Sequence, residues 1–289
     1  MVVWADTLLQ GVLVGGLYAL FAISLSLAFG VMRLVNLAHG DLIVMAAFMA
    51  LMGAEAFGLA PLSTLVAVVP AMAALGYALQ RGLINPVLGG DALRPLLVTF
   101  GLSLVLQNGM QEAFSADTRR LQLGALETAS LDLSPGLALG WYPLLVMGAA
   151  ISVTVGLQLL LYRTRFGAAL RATSDDGETA LLMGVSGRHI CGMAAALGLG
   201  IAGLAGVLMG GWTSFDPAAG PARLIYAFEA VIIGGLGSPW GTLAGGVVLG
   251  VAQAVGGAFD PAWQVLAGHL VFLAVLLVAP RGLFPRMAD

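Results

Sequence analysis

The 289-residue chain has no lysine, one cysteine and little charge of either sign: 12 basic residues, all arginine, and 15 acidic ones. With Cys191 alone, no intrachain disulfide can form and a redox pair has no basis. A net charge of −3 supplies no polybasic run for nucleic acid or for anionic lipid. Without lysine there is no G-x-x-x-x-G-K-[ST] phosphate loop, so any ATP and its magnesium belong on another chain. The H-E-x-x-H pattern of metal hydrolases is also missing. His39, His189 and His269 fall on different apolar runs, so no metal-ligating residue is assigned.

What is there instead is apolar. Hydrophobic residues make up 60% of the chain and charged ones 9%, with a mean hydropathy of +0.98. Soluble domains carry about a quarter charged residues. Uncharged stretches over 7–32, 56–80, 133–162, 189–215, 230–259 and 261–280 reach or approach the ~20 residues that cross a hydrocarbon core. The expectation is an all-α polytopic protein of the cell membrane, a single transmembrane domain over 1–289 whose surroundings are the lipid bilayer. Its first run lacks a positive leader and is followed by Arg33, which reads as a retained span in place of a cleaved signal peptide.

Arginine placement orients the spans. Helices are predicted near 7–31, 35–54, 61–80, 95–113, 141–162, 188–212 and 263–280, with a glycine-broken segment at 224–256. Counted with that glycine-broken, re-entrant segment, this makes about eight spans. The loop 163–188 carries Arg163, Arg165, Arg171 and Arg188 and is placed in the cytoplasm. The amino terminus and the loop 114–140 then lie outside. If 224–256 dips in and returns as two half-length helices around Gly234, Gly235 and Gly237, Arg281 and Arg286 end inside; a single crossing would put them outside. Broken helices at membrane depth are tolerated where they are buried in protein or line a wet pathway. The repeats GVLVG (11–15), GVLMG (206–210), GTLAG (241–245) and GVVLG (246–250) are small-residue faces for close helix packing.

One stretch breaks the apolar pattern. Arg171–Ile190 holds Asp175, Asp176 and Glu178, then Ala180, Leu181, Leu182 and Met183, then Gly184. The acids suit a helix N-terminus, with Thr173–Asp176 and Asp175–Glu178 at capping-box spacing; Gly184 suits its end and Ser186 the next start. A short amphipathic surface helix is predicted. Its four consecutive apolar residues point to something that covers them.

Glu178-x-Ala180-x-x-x-Gly184 resembles the E-A-A-x-x-x-G coupling loop of ABC importer permeases, with Thr179 at the middle alanine and without the I-x-L-P ending. Further motifs agree in order: Arg33-Leu-Val-Asn-Leu-Ala-His-Gly-Asp41, Thr99-Phe-Gly-Leu-Ser-Leu-Val-Leu-Gln107, Arg163-x-Arg165-x-Gly167-x-x-x-Arg171, and Ile233-Gly-Gly-Leu-Gly-Ser238 through Gly246. Together they resemble the LivH-type permease of branched-chain amino acid ABC importers over about 7–285. The resemblance implies the ABC importer permease fold, with coupling through 163–188. It also implies two ABC ATPase subunits, a LivM-type second permease or a second copy of this chain, and an extracytoplasmic substrate-binding protein. Urea, amide and other amino-acid importers share the permease type.

Polar residues in apolar runs are the pathway candidates. Asn36, His39, Gly40 and Asp41 open the second span, either as caps or as a helix break beside a pathway. Thr99, Ser103 and Gln107 recur at i, i+4 and i+8 and form one stripe, which suits a small zwitterion or a hydrogen-bonded neighbouring helix. Glu229, six residues after Arg223, suggests a structural ion pair. An ion-coupled carrier would have only Asp41, Glu112 and Glu229 as buried titratable candidates and no use for a docking helix. An intramembrane enzyme would have only His39 with Asp41.

Overall fold

In a computed structural model the chain is described over residues 2–32, 34–88, 93–134 and 137–284. Arg33 and Arg286, used above for topology, lie outside the described residues. The long apolar runs fold as helices: α1 (Val2–Met32), α2 (His39–Phe57), α3 (Leu65–Leu79), α4 (Leu93–Phe114), a single turn α5 (Ala125–Thr128), α6 (Trp141–Arg163), α7 (Arg165–Asp175), α8 (Gly177–Leu182), α9 (Gly187–Trp212), α10 (Gly220–Gly234), α11 (Pro239–Phe259) and α12 (Trp263–Val278). Among the described residues six stretches are long and apolar enough to cross a bilayer: Val3–Met32, His39–Phe57, Pro61–Val87, Trp141–Arg163, Gly187–Trp212 and Pro239–Phe259. This is a polytopic helical membrane protein.

The all-helical expectation needs one amendment. Within the predicted 114–140 loop, β1 (Ser130–Ser134) pairs antiparallel with β2 (Leu137–Gly140), Leu131 opposite Leu139. The third span also runs past its predicted end. A 3₁₀ turn at Pro61–Thr64 leads into α3, and a π-turn at Gln80–Ile84 and a second 3₁₀ turn at Asn85–Val87 extend it. π-turns inside helices widen the coil by one residue and are frequent at functional sites.

The chain divides into two compact units. One comprises Ser24–Leu121 and Val155–Leu224, and its centre is α2, α3 and α9. In lipid the hydrophobic effect does not drive helices together, so dispersion from close packing carries the association. Small residues provide it here. A Cβ on Gly206 would overlap the Ile43 carbonyl of α2, and one on Gly203 would lie 3.0 Å from Met72 of α3. Phe48 is fully enclosed, its ring stacked 4.5 Å from Phe114 and edge-on 5.0 Å from Phe215.

The other unit comprises Met1–Ile23, Gln122–Thr154 and Ile225–Asp289. Gly11 and Gly15 of α1 meet the backbone of α11 at Val251 and Val247, while Gly246 and Gly250 of α11 meet α1. GVLVG and GVVLG are thus the two faces of one backbone-to-backbone contact. Tyr18 Oη donates to Gln253 Oε1 at 2.5 Å inside it.

Candidate functional site

The sequence candidates gather at three places. The first is the start of α2. This helix begins at His39, four residues later than the predicted boundary of 35, because Leu34–Ala38 is not helical. Asn36 Oδ1 accepts from the Ala38 amide at 3.0 Å, the Asx turn that asparagine offers an entering chain. Thr99 Oγ1 accepts from the Leu37 amide at 3.2 Å and donates to Leu96 O at 3.1 Å. His39 Nε2 lies 2.9 Å from Ser24 Oγ of α1.

Asp41, in the first turn of α2, is 1% exposed. Ser103 Oγ donates to its Oδ2 at 2.5 Å, and Gln107 Nε2 donates to its Oδ1 at 2.9 Å and to Ser103 Oγ at 3.1 Å. The i, i+4 spacing on α4 therefore delivers one donor to each carboxylate oxygen. The glycines at 40 and 220 let the chain close over this cluster. A Cβ on Gly220 would overlap the Asp41 carboxylate, and one on Gly40 would overlap the Gly220 carbonyl. Asn36, His39, Gly40, Asp41, Thr99, Ser103 and Gln107 form one continuous polar region. Ser24 and Gly220 complete it and were not singled out from sequence; a serine in the long apolar run of α1 was the available sign. A cavity of about 30 Å³, the size of one water, is lined in part by Ser24, Asn36, His39 and Gln80.

The second place is the break between α10 and α11. α10 stops at Gly234 and α11 starts at Pro239. Gly235 and Gly237 have φ of +102° and +80°, which L side chains rarely adopt. Ser238 Oγ accepts from the Gly241 amide at 3.1 Å and caps α11, with Pro239 at its first position. Gly245 lies against Ala230 O and Gly234, so the two helices double back on each other. The prediction of two half-length helices is corrected. α10 has 15 residues, about 22 Å, whereas α11 has 21, about 31 Å, a full span by length.

Two further features were not anticipated there. The Leu283 amide donates to Ile233 O at 2.8 Å and the Phe284 amide to Gly234 O at 3.1 Å. The segment after α12 therefore satisfies carbonyls that the end of α10 leaves without an intrahelical partner. The suggested ion pair with Arg223 does not form: Glu229 Oε1 lies within hydrogen-bond distance of His269 Nδ1 of α12, while Arg223 Nη2 reaches Ser214 O at 3.5 Å. Six residues along a helix put Glu229 and Arg223 on different faces of α10, which is why they do not meet.

The third place is the charged loop, which folds as two helices where one was predicted. Thr164 Oγ1 caps α7 by accepting from the Gly167 amide at 3.0 Å. Arg171 of α7 donates to the Leu161 carbonyl and lies 4.8 Å above the Tyr162 ring, and Ser174 Oγ donates to Gly30 O at 2.6 Å. The predicted capping boxes do not form. Thr173 Oγ1 donates back to Ala169 O and Asp175 ends α7. Asp176 alone caps α8, its Oδ1 accepting from the Glu178 and Thr179 amides at 3.1 Å each and its Oδ2 from Thr179 Oγ1 at 2.5 Å. The Thr179 hydroxyl and then these amides hold its carboxyl below the ordinary range. Ser186 occupies the position before α9, but its hydroxyl makes no capping bond.

Gly184, with φ of +84°, ends α8: the Val185 amide donates to Ala180 O and the Gly184 amide to Leu181 O, both at 3.0 Å. This is the six-to-one closure of a glycine-terminated helix. Ala180 is buried, but Leu181, Leu182 and Met183 are 64%, 87% and 81% exposed. The turn thus presents a contiguous apolar knob, flanked by Glu178 and Asp176. Among the described residues no three His, Cys, Asp or Glu side chains group as a metal site.

The family profile described as "branched-chain amino acid transport system / permease component" matches residues 7–280. The high-affinity branched-chain amino acid transport system permease protein BraD of Pseudomonas aeruginosa is 29% identical over 98% of this chain and 96% of its own length. LivH of Escherichia coli, a permease protein of the same kind of system, is 26% identical over 96% of this chain and 94% of its own. Among solved structures, PsaBC of Streptococcus pneumoniae in complex with Fab matches 95% of this chain and 92% of that one, with a TM-score of 0.50 at 16% identity. That likeness concerns the fold.

Proposed function

The chain belongs to the branched-chain amino acid permease family, and on that premise we propose that it is the transmembrane permease subunit of an ATP-driven importer for branched-chain or related amino acids. The single observation that carries the coupling role is the exposed Leu181–Met183 knob, held between the Asp176 cap and the Gly184 stop. Three large apolar side chains on one short turn fit a contact that buries them, with acidic side chains at the rim to set orientation. In this reading Asp175, Asp176, Glu178, Ala180, Leu181, Leu182 and Gly184 seat the 163–188 segment on one of two ABC ATPase subunits. ATP and magnesium act there, and this chain transports without catalysing a reaction. A LivM-type permease or a second copy of this chain completes the membrane part. An extracytoplasmic binding protein delivers the substrate.

The pathway runs beside the start of α2. Asn36 and Gln107 are half-buried and able to offer polar atoms to it, while Thr99, Ser103, His39 and Asp41 stand behind them and fix the turn. The break at Gly234, Gly235 and Gly237 belongs to the same apparatus. With α10 entering from outside and α11 returning, α12 brings Arg281 to the cytoplasmic side. This gives seven crossings and the re-entrant element, about eight spans counted together, with the amino terminus outside and the carboxyl terminus inside. The short length of α10 supports that topology.

The test is assembly and transport with Leu182→Asp, which buries an unpartnered charge in the proposed contact. Insertion and capture of the substrate-binding protein should survive while the ATPase subunits are lost or transport is uncoupled from hydrolysis. Full transport with normal ATPase association would end the coupling assignment. Screening the co-encoded binding protein with leucine, isoleucine and valine against urea and short amides tests the substrate class. Saturable binding of urea alone would overturn it.

A further inference from the structure

No run of basic residues occurs in the sequence, yet the fold gathers basic side chains that are far apart along it. Arg81 sits on the π-turn that extends α3, and Arg188 and His189 sit in the first turn of α9. These are the same ends of two packed spans, Pro61–Val87 and Gly187–Trp212. Together with Asn85, Pro86 and Ser186 they line a cleft of about 580 Å³. Among the described residues no carboxylate lines it. Arg81, Arg188 and His189 form no ion pair among the described residues.

The cleft is built, which distinguishes it from a chance cluster of surface side chains. Arg81 Nη1 donates to Tyr77 Oη at 2.8 Å, and that hydroxyl lies 3.0 Å from His189 Nδ1. Tyr77 in turn packs on Gly192, where a Cβ would lie 2.8 Å from its ring. Gln80 Nε2 donates to Asn85 Oδ1 at 2.9 Å, and Asn85 Nδ2 donates to Arg188 O at 3.2 Å. The π-turn and the start of α9 are thereby tied into one frame. Arg188 keeps its guanidinium without a hydrogen-bond partner among the described residues, and the Ser186 hydroxyl makes no capping bond. The amino-terminal end of the 26-residue α9 adds its own positive potential.

Donors without an acceptor, at the end of membrane spans, call for an anion. We propose that this cleft binds the phosphate of an anionic phospholipid headgroup. Arg81 and Arg188 would form charge-assisted hydrogen bonds to its oxygens, with Ser186 and His189 as further donors. Free phosphate shares that chemistry, but the surroundings favour the lipid. Leu83, between Arg81 and Asn85, is 43% exposed and Met193, one turn beyond His189, is 40% exposed. A charged cleft beside exposed apolar side chains matches a ligand with an anionic head and an apolar tail. Basic pockets between spans are a recurrent form of headgroup recognition.

Native mass spectrometry of the purified, assembled complex tests the proposal with phosphatidylglycerol and phosphatidylcholine as probes. Arg188→Gln breaks no side-chain bond seen among the described residues, and unchanged subunit stoichiometry in the same spectra checks that the variant complex is folded and assembled. It should lower phosphatidylglycerol retention about fivefold, and Arg81→Gln with Arg188→Gln about 25-fold, leaving phosphatidylcholine unchanged. Equal retention in wild type and both variants would overturn the site. Displacement of phosphatidylglycerol by millimolar inorganic phosphate would assign the cleft to soluble phosphate and overturn the lipid. Loss of ATPase subunits with phosphatidylglycerol retention intact would assign it to an acidic protein surface, with the same consequence.

Discussion

Replacing Ser103 with alanine should destabilise the start of α2, and the size of the effect follows from where Asp41 sits. The change removes the 2.5 Å donor to Oδ2 and leaves Gln107 as the remaining side-chain donor, on Oδ1. Hydrogen bonds between membrane helices average about 0.6 kcal/mol in double-mutant cycles, because the unfolded reference also finds partners. A buried acceptor left without its donor costs about 1–3 kcal/mol. The larger figure applies here. Asp41 is 1% exposed and is covered by Gly220, so water cannot replace the hydroxyl without displacing backbone. The expected loss is about 2 kcal/mol, near thirtyfold in the folding equilibrium. Gln107→Leu should cost a similar amount. Because Gln107 also donates to Ser103, the two changes should couple by about 0.5–1 kcal/mol. Equilibrium unfolding in bicelles measures this, with amino-acid uptake into proteoliposomes read per folded complex. The decisive background is Asp41→Ala, in which Ser103→Ala should become nearly neutral. Equal destabilisation with and without Asp41, or wild-type stability accompanied by lost uptake, would refute the clamp and make Ser103 a direct contact of the substrate.

His269→Ala removes the partner of Glu229, whose side chain is 5% exposed, and should cost on the order of 3 kcal/mol; His269→Gln, which keeps a donor, should recover part of it. Equal unfolding midpoints for both variants would show that the pair is not structural. The Asp176 carboxyl is held below its ordinary 3.8, so its capping of α8 is fully present above that pH and is lost as the pH falls below it. Hydrogen exchange at the Glu178 and Thr179 amides should therefore be slow at neutral pH and accelerate only in that acid range, or at neutral pH in Asp176→Ala. Unchanged exchange in Asp176→Ala would remove the cap. On a Cys191→Ser background, Ala218→Cys should label from outside and Phe284→Cys only from the cytoplasmic side. External labelling at 284 would invert the topology.

The helices were legible because bilayer thickness constrains their length and apolar content directly. Periodicity was equally informative where one helix carries the whole pattern: Thr99, Ser103 and Gln107 do share a face. What the pattern could not show is what that face meets, since Asp41 and the Leu37 amide lie about sixty residues away, at the start of α2. The same limit explains the Glu229 error. Its partner lies on α12, and proximity in sequence to Arg223 carried no information about it. In the charged loop composition located the helix, but three acceptors competed for two amides, and only backbone geometry selects Asp176 over Thr173 and Asp175. The exposed Leu181–Met183 turn was visible in sequence because nothing in the chain itself needs those side chains there.

The bonds from Leu283 and Phe284 to the end of α10 also set an order of events during synthesis. The chain emerges from its amino end, so the Ile233 and Gly234 carbonyls are made well before their partners. Throughout the production of α11 and α12 those carbonyls must rest on water or on the translocation machinery, with the Gly235–Ser238 turn still open at one side. The Leu283–Phe284 segment then acts as a latch, closed only after α12 has been made. Quality control has that latch to read: a chain stopped just after α12 has α10, α11 and α12 in place, yet leaves two polar groups bare at the end of a helix too short to reach across the membrane.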